Sequence, residues 1–145
     1  MKNVIINIED SHEIDGEKIN SELITVGTLK GDENDYLLTY NEQDEALKNC
    51  TTTLRVQNKN KIIMSRKGDF MTEMIIEKGK RHNCHYITPS GEMCMGIFAS
   101  DIDSNINKGG GRLSFSYTVD FNLGFSSLNK LKVTVREVDK DVPLS

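Results

Sequence analysis

The stretch HNCHYITPSGEMCMG, residues 82–96, concentrates side chains that commonly bind metals or take part in redox chemistry. His82, Cys84, His85 and Cys94 all lie within it. Histidine and cysteine are the usual ligands of structural zinc, and two neighbouring cysteines can form a disulfide. An ordinary hairpin that carries sulfur and imidazole groups has the same pattern. The register in which the two strands of the hairpin pair decides between a metal site, a disulfide and an ordinary hairpin.

The turn of this hairpin is expected at Pro89–Gly91. Without a bulge, Tyr86 then faces Cys94, and Cys84 faces Gly96. In this register the two cysteines are diagonal neighbours, about 7–8 Å apart between Cα atoms, whereas a disulfide usually spans about 4.4–6.8 Å. At most two of the four ligands of structural zinc converge. We therefore predict a central hairpin with thiols packed as small hydrophobic groups, and no metal site.

A second candidate metal site, DIDSNINKGGGR at residues 101–112, begins with the alternating oxygen ligands of a calcium loop. Its sixth position is Ile106 where such loops have glycine, and its twelfth is Arg112 where they have a bidentate glutamate. We predict a solvated loop that leads into a glycine turn. The glycines precede a strand and not a helix, which also argues against a phosphate-binding loop.

Arg66, within KIIMSRKGD, shares the strand parity of Ile62 and Met64 and is predicted to point inward. An unpaired buried charge is costly, so Arg66 needs a partner. One hypothesis is that it anchors an anionic group of a ligand. The alternatives are an internal ion pair with Glu42 or Glu73, and a position at the barrel mouth that reaches water.

Tyrosine side chains suit the rim of such a pocket because they have an apolar ring and a polar tip. Tyr40 and Tyr117 could each add a hydroxyl to a ligand held by Arg66, and Glu42 continues the parity of Tyr40. The candidate ligand-binding residues are therefore Arg66, Tyr40, Tyr117, Glu42 and Tyr86.

Catalysis is a separate alternative with Tyr40, Glu42 and Arg66 as the candidate set. The chain lacks a strained serine elbow, and the assumed register pairs no cysteine with an oriented histidine. A polar cleft that contains a carboxylate of raised pKa would favour an enzyme. We assign no catalytic residue and no cofactor.

Strands must position these side chains. The clearest is RLSFSYTVDF, residues 112–121, in which apolar and polar residues alternate strictly. Short turn signals rich in Gly, Asn, Asp and Pro separate ten such segments, and a helical turn is predicted at 42–49. The other predicted strands are 3–9, 21–29, 35–42, 51–58, 61–67, 70–77, 81–88, 92–100 and 131–138.

Short connections allow only antiparallel neighbours, which predicts a meander. An open meander leaves two strand edges exposed, and closure removes them. We therefore predict an all-β fold, a closed antiparallel meander barrel of about eight to ten strands. It forms a single domain, 1–145, with its core in 3–138 and a C-terminal tail at 139–145.

Composition narrows the function. The net charge of −4 and the scattered basic residues argue against nucleic-acid binding. The N-terminal segment has too short an apolar run for a signal peptide or a membrane span. Three cysteines without an export signal favour reduced thiols and a cytoplasmic location.

The segments YLLTYNE, IIMSRKG, YITPSG, GGGRLSFSYTVDFN and SLNKLKVTV follow one another in an order that resembles the YwiB-like family of bacterial proteins. The resemblance runs from about Val4 to Val138. It implies a small cytoplasmic, lipocalin-like barrel of the calycin type and no known activity. Ser90 departs from the family pattern, in which an aromatic residue is expected.

The function expected from these observations is non-catalytic binding of a small amphipathic or acidic ligand inside the barrel. The alternative is a protein-interaction or assembly barrel with a fully packed interior, which could form a homodimer.

Overall fold

The computed structural model describes residues 2–42, 49–68, 71–88, 91–107, 109–121 and 126–138. Within these ranges the chain forms ten β-strands. They are β1 (Lys2–Ile14), β2 (Glu17–Asp32), β3 (Asp35–Asn41), β4 (Thr51–Gln57), β5 (Lys61–Lys67), β6 (Met71–Glu77), β7 (Arg81–Thr88), β8 (Gly91–Asn107), β9 (Gly110–Phe121) and β10 (Ser126–Glu137).

Each strand pairs antiparallel with its neighbours in the chain, and β1 also pairs with β10, which closes the sheet. The closing ladder runs from Val4↔Glu137 to Glu13↔Leu128. Closure pairs the backbone groups that would otherwise form exposed edges. The predicted all-β closed antiparallel meander barrel is confirmed.

The interior follows from the two-residue period of the strands. Val4, Ile6 and Ile8 of β1 point inward, as do Leu113 and Phe115 of β9, and all five are buried. Burying each such side chain contributes about 1.5–3 kcal/mol relative to leaving it in water. One continuous apolar core results.

The first two strands are longer than predicted. β1 continues to Ile14, and a tight turn joins it to β2 through Asp15 (φ 52°) and Gly16 (φ 81°). Two consecutive positive φ values are typical of the type I′ turn, which matches the twist of a hairpin. The intervening polar residues resemble a loop in sequence but form ladder pairs here. Asp10 consequently continues the inward row of β1.

The predicted solvated loop at 101–112 is wrong for residues 101–107, because these belong to β8. Ile102, Ser104 and Ile106 are buried in alternation with exposed acidic and amide residues. The hydroxyl of Ser104 lies 2.7 Å from that of Tyr36 in a buried hydrogen bond. The residues that resemble calcium ligands are thus the solvent-facing row of a strand.

The predicted register of the β7–β8 hairpin is also wrong, by one residue. Thr88 pairs with Gly91, so that His85 faces Cys94. The connection therefore consists of 89–90 instead of three residues, and these two positions lie outside the described residues. As a result Cys84 is buried and Cys94 exposed, on opposite faces of the sheet.

The ladder between β6 and β7 is short, and we call this part of the wall the seam. Midway along it, the Ile75 N–H donates to the Cys84 thiol at 3.4 Å. A cavity of about 340 Å³ lies at the seam, and Arg66 and Thr72 line it. Among the described residues, the backbone ladder between β6 and β7 consists of the pairs Met71↔Ile87 and Thr72↔Tyr86.

Two predictions fall on parts of the chain that are not described. Residues 43–48 of the predicted helical turn and the tail 139–145 lie outside the described residues. The described ranges contain no helix with the length and hydropathy needed to span a membrane.

Candidate functional site

A cavity of about 470 Å³ lies inside the barrel and is the candidate site. Small-molecule pockets usually measure about 300–1,000 Å³. The apolar lining consists of Ile8, Leu23, Met64, Met74 and Leu131. The polar lining consists of Asp10, Ser21, Glu22, Tyr40, Glu42, Arg66 and Tyr117. The cavity thus contains Arg66, Tyr40, Tyr117 and Glu42, all predicted as ligand-binding residues.

A wider hollow of about 600 Å³ lies beside this cavity and shares Asp10, Ser21, Glu22 and Leu131 with it. Serine, lysine and acidic residues make up most of its lining. The smaller cavity is the better candidate because Tyr40, Glu42, Arg66 and Tyr117 line it in addition to Asp10, so that several polar groups converge there.

Arg66 forms an internal ion pair with Glu42, which was one of the predicted alternatives. Its Nη2 lies 3.2 Å from Glu42 Oε1, and the two side chains are 24% and 9% exposed. The Thr52 hydroxyl donates to Glu42 Oε1 at 2.6 Å and accepts from Arg66 Nε at 3.4 Å. Glu73, the other predicted partner, faces solvent. The charge of Arg66 is therefore already balanced by the protein.

Tyr40 and Tyr117 are both buried, at 8% and 7% exposure. Desolvation raises the pKa of each phenol well above its usual range, and the Glu42 carboxylate adds to this effect at Tyr40. Both side chains remain neutral across the physiological range. The ring of Tyr117 stacks on Phe115 with a centroid separation of 5.8 Å, which fixes its orientation.

Asp10 brings a second carboxyl group to the cavity. Its Oδ1 atom is buried and has no hydrogen-bond partner among the described residues. Burial raises the pKa of the carboxyl group, and the nearby His12 partly offsets this. An acceptor that is buried without a donor costs free energy, so this oxygen has capacity for a donor from a ligand.

The polar groups of the cavity form one electrostatic cluster. Asp10 and Arg66 act in opposite directions on the pKa of Tyr117, and both also affect the pKa of Tyr40. The strands β1, β3, β5 and β9 therefore deliver their side chains to a common region of the interior.

Tyr86, the fifth predicted site residue, is described only through its backbone. It lies in β7 and pairs with Met93 and Thr72, while its side chain lies outside the described residues. Its role in the site stays a prediction.

Sequence reasoning missed Asp10 and Thr52. For both residues the sequence indicates an inward position. Asp10 shares the parity of Ile6 and Ile8 along β1. Thr52 likewise shares the parity of buried Leu54 in β4 and is itself 0% exposed. A polar residue in an otherwise apolar inward row is therefore a candidate site residue, as an inward arginine is.

Among the described side chains of the β7–β8 hairpin, none lines the cavity. His85 Nδ1 lies 2.5 Å from Glu92 Oε1 and 3.7 Å from Cys94 Sγ, and all three side chains face solvent. His82 Nε2 is hydrogen-bonded to Glu77 Oε1 at 3.0 Å. Within the described ranges, no group of three His, Cys, Asp or Glu side chains could hold a metal ion.

Comparison with known proteins places the barrel in a family. Residues 6–133 match the model of a domain of unknown function, DUF1934. The chain belongs to the DUF1934 family. The match spans β1 to β10 and therefore includes every residue described for the cavity.

The DUF1934 barrel is also similar to a solved structure, the crystal structure of the ywiB protein from Bacillus subtilis. The TM-score is 0.84 at 20% sequence identity, over 95% of this chain and 93% of that one. At this identity the likeness shows the fold. The predicted YwiB-like resemblance is confirmed, whereas the calycin kinship stays a prediction. None of the curated proteins matches the sequence.

Proposed function

We propose that this DUF1934 barrel binds a small amphipathic molecule in its interior without catalysis. The observation that carries the proposal is the lining of one 470 Å³ cavity, which combines five apolar side chains with a set of polar groups. Ligand pockets typically combine a mostly apolar lining with a few convergent polar groups that fix orientation.

The apolar part of the ligand would lie against Ile8, Leu23 and Leu131 and against the neighbouring methionines Met64 and Met74. Methionine side chains adapt to irregular shapes because they are unbranched and flexible. Removal of the ligand's apolar surface from water would supply most of the affinity, at about 25 cal/mol per Å².

The polar end would lie among Arg66, Tyr40, Tyr117 and Asp10, where hydroxyl groups and charged groups meet. The hypothesis of Arg66 as the anchor of a fully anionic ligand is weakened by Glu42, which already compensates its charge. An amphipathic ligand with a polar head group agrees better with this balance than a multiply charged acid does.

A cavity-filling variant tests the proposal. Leu23→Trp places an indole in the cavity, whereas Ile24→Trp places the same group on the outer surface, where Ile24 is 59% exposed. Native mass spectrometry should detect a bound small molecule in the wild type and in Ile24→Trp, lost on denaturation, and less of it in Leu23→Trp. Equal occupancy in both variants, or a bare polypeptide in every sample, would contradict the proposal.

An interaction barrel is the second candidate function, and one observation favours it. Ile24 and Val26 expose 59% and 48% of their surface on the outer face of β2. Adjacent apolar side chains in water are typical of contact surfaces. A homodimer through this face would show a concentration-dependent mass by light scattering, which Ile24→Ser together with Val26→Ser should abolish.

One side chain of the cavity supports an enzymatic role. Asp10 is a cavity carboxyl whose pKa is raised by burial, which fits a general acid or base. The described lining residues of the cavity include no cysteine, serine–histidine pair or lysine nucleophile. Binding therefore remains the better-supported function. The free cysteines Cys50, Cys84 and Cys94 agree with the proposed cytoplasmic location.

A further inference from the structure

The proposed function leaves open which kind of polar group enters the cavity. We infer that it is a cationic hydrogen-bond donor, an organic ammonium group, and that Asp10 accepts it. This inference rests on the proposed function and names the ligand class for the same site.

Asp10 presents a hydrogen-bond acceptor that no described residue satisfies. Asp10 Oδ1 is buried and finds no donor among the described residues. Thr52 and Arg66 already direct donors at Glu42, so the carboxylate of Glu42 has its partners. Asp10 is therefore the acceptor that a ligand would complete, and the gain is largest for a charged donor.

The described lining of the cavity carries more acidic than basic residues. The acidic residues Asp10, Glu22 and Glu42 face a single basic residue, Arg66, among the described lining residues. A carboxylate ligand would add another negative charge to this set, and desolvation in the interior would increase the repulsion. An ammonium group has the opposite effect and reduces the net charge.

Asp10 lies next to apolar side chains of the cavity. Ile8 and Asp10 share the inward row of β1, and Asp10 pairs with Leu131 across the ladder to β10. Leu131 and Ile8 belong to the apolar wall. A head group bonded to Asp10 thus places the attached chain directly against apolar side chains, as an amphipathic amine requires.

The test compares three probes with the same alkyl chain: decylamine, decanol and decanoate. Isothermal titration calorimetry of the full chain at neutral pH should give at least about tenfold tighter binding for decylamine than for decanoate. Asp10→Asn should weaken decylamine binding by about tenfold or more and leave decanol binding within a few-fold. Asp103→Asn removes the same charge from an exposed position of β8 and should change none of the three affinities.

The experiment distinguishes failure of the amine assignment from failure of the proposed function. Tighter binding of decanoate, or decylamine binding that Asp10→Asn does not weaken, would overturn the amine assignment while decanol binding still supports the cavity. If none of the three probes binds and Leu23→Trp changes nothing, the proposed function fails together with the inference.

Discussion

The guanidinium of Arg66 and the carboxylate of Glu42 form an ion pair inside the barrel, 3.2 Å apart, with Thr52 hydrogen-bonded to both. Asp10 also lines this cavity, and its buried Oδ1 atom has no hydrogen-bond partner among the described residues.

The ion pair should behave as a coupled unit. Removal of one partner leaves a largely buried charge uncompensated, so Arg66→Met and Glu42→Gln should each lower the free energy of unfolding by about 1–3 kcal/mol. The double variant should lose clearly less than the sum of the two. Urea unfolding of the four proteins measures this coupling, and strictly additive losses would contradict the ion pair.

Asp10 should make stability depend on pH in an unusual direction for a carboxyl group. Because burial raises its pKa above the ordinary value of 3.8, the folded state favours the protonated form. This contribution is present at low pH and is lost as pH rises through the raised folded pKa.

Asp10→Asn removes this loss of stability at rising pH, because the asparagine side chain does not ionise. The variant should match the wild type at acidic pH and exceed its stability by up to about 1 kcal/mol at neutral pH. Charged and phenolic groups that face Asp10 and stay unchanged in this comparison are His12, Glu22, Tyr40, Arg66 and Tyr117. A wild type that is more stable than Asp10→Asn at neutral pH would refute the assignment.

Two buried threonines should respond oppositely to the same substitution. Thr52 donates to Glu42 at 2.6 Å, and its conversion to valine should cost about 1–3 kcal/mol. The Thr72 hydroxyl is buried without a partner among the described residues, so Thr72→Val should be neutral or stabilise by up to about 1 kcal/mol. Thermal unfolding of both variants checks the contrast, and equal destabilisation would contradict it.

The register of the β7–β8 hairpin predicts selective thiol chemistry. Cys94 is exposed, whereas Cys50 and Cys84 are buried. A thiol reagent should therefore modify one cysteine rapidly under native conditions, and Cys94→Ser should remove that fast phase. In the register that places both hairpin cysteines on one face, Cys84 and Cys94 would react at similar rates instead.

Short connections predicted the closed antiparallel meander, and periodicity was sufficient to predict the strands, since all ten predicted strands show apolar alternation or β-branched runs. It was also sufficient for Arg66, because Ile62 and Met64 define its face. Neither required knowledge of neighbouring strands.

Other features depend on pairing between strands. The hairpin register changed with a single residue of loop length between Thr88 and Gly91. Asp10 was missed because a carboxylate in a polar run resembles a turn until the ladder with β2 shows that β1 continues. Glu42 could not be chosen over Glu73 as the partner of Arg66 without the positions of β3 and β6.

The most direct test of the central claim uses methionine methyl groups as reporters. Met64 and Met74 line the cavity, whereas Met71 and Met93 are 52% and 46% exposed on the outside. In a sample labelled with ¹³C at the methionine methyls, titration with decanol should shift the signals of Met64 and Met74 and leave those of Met71 and Met93 in place. Shifts confined to the outer methionines, or no shifts at saturating decanol, would contradict a ligand-binding interior.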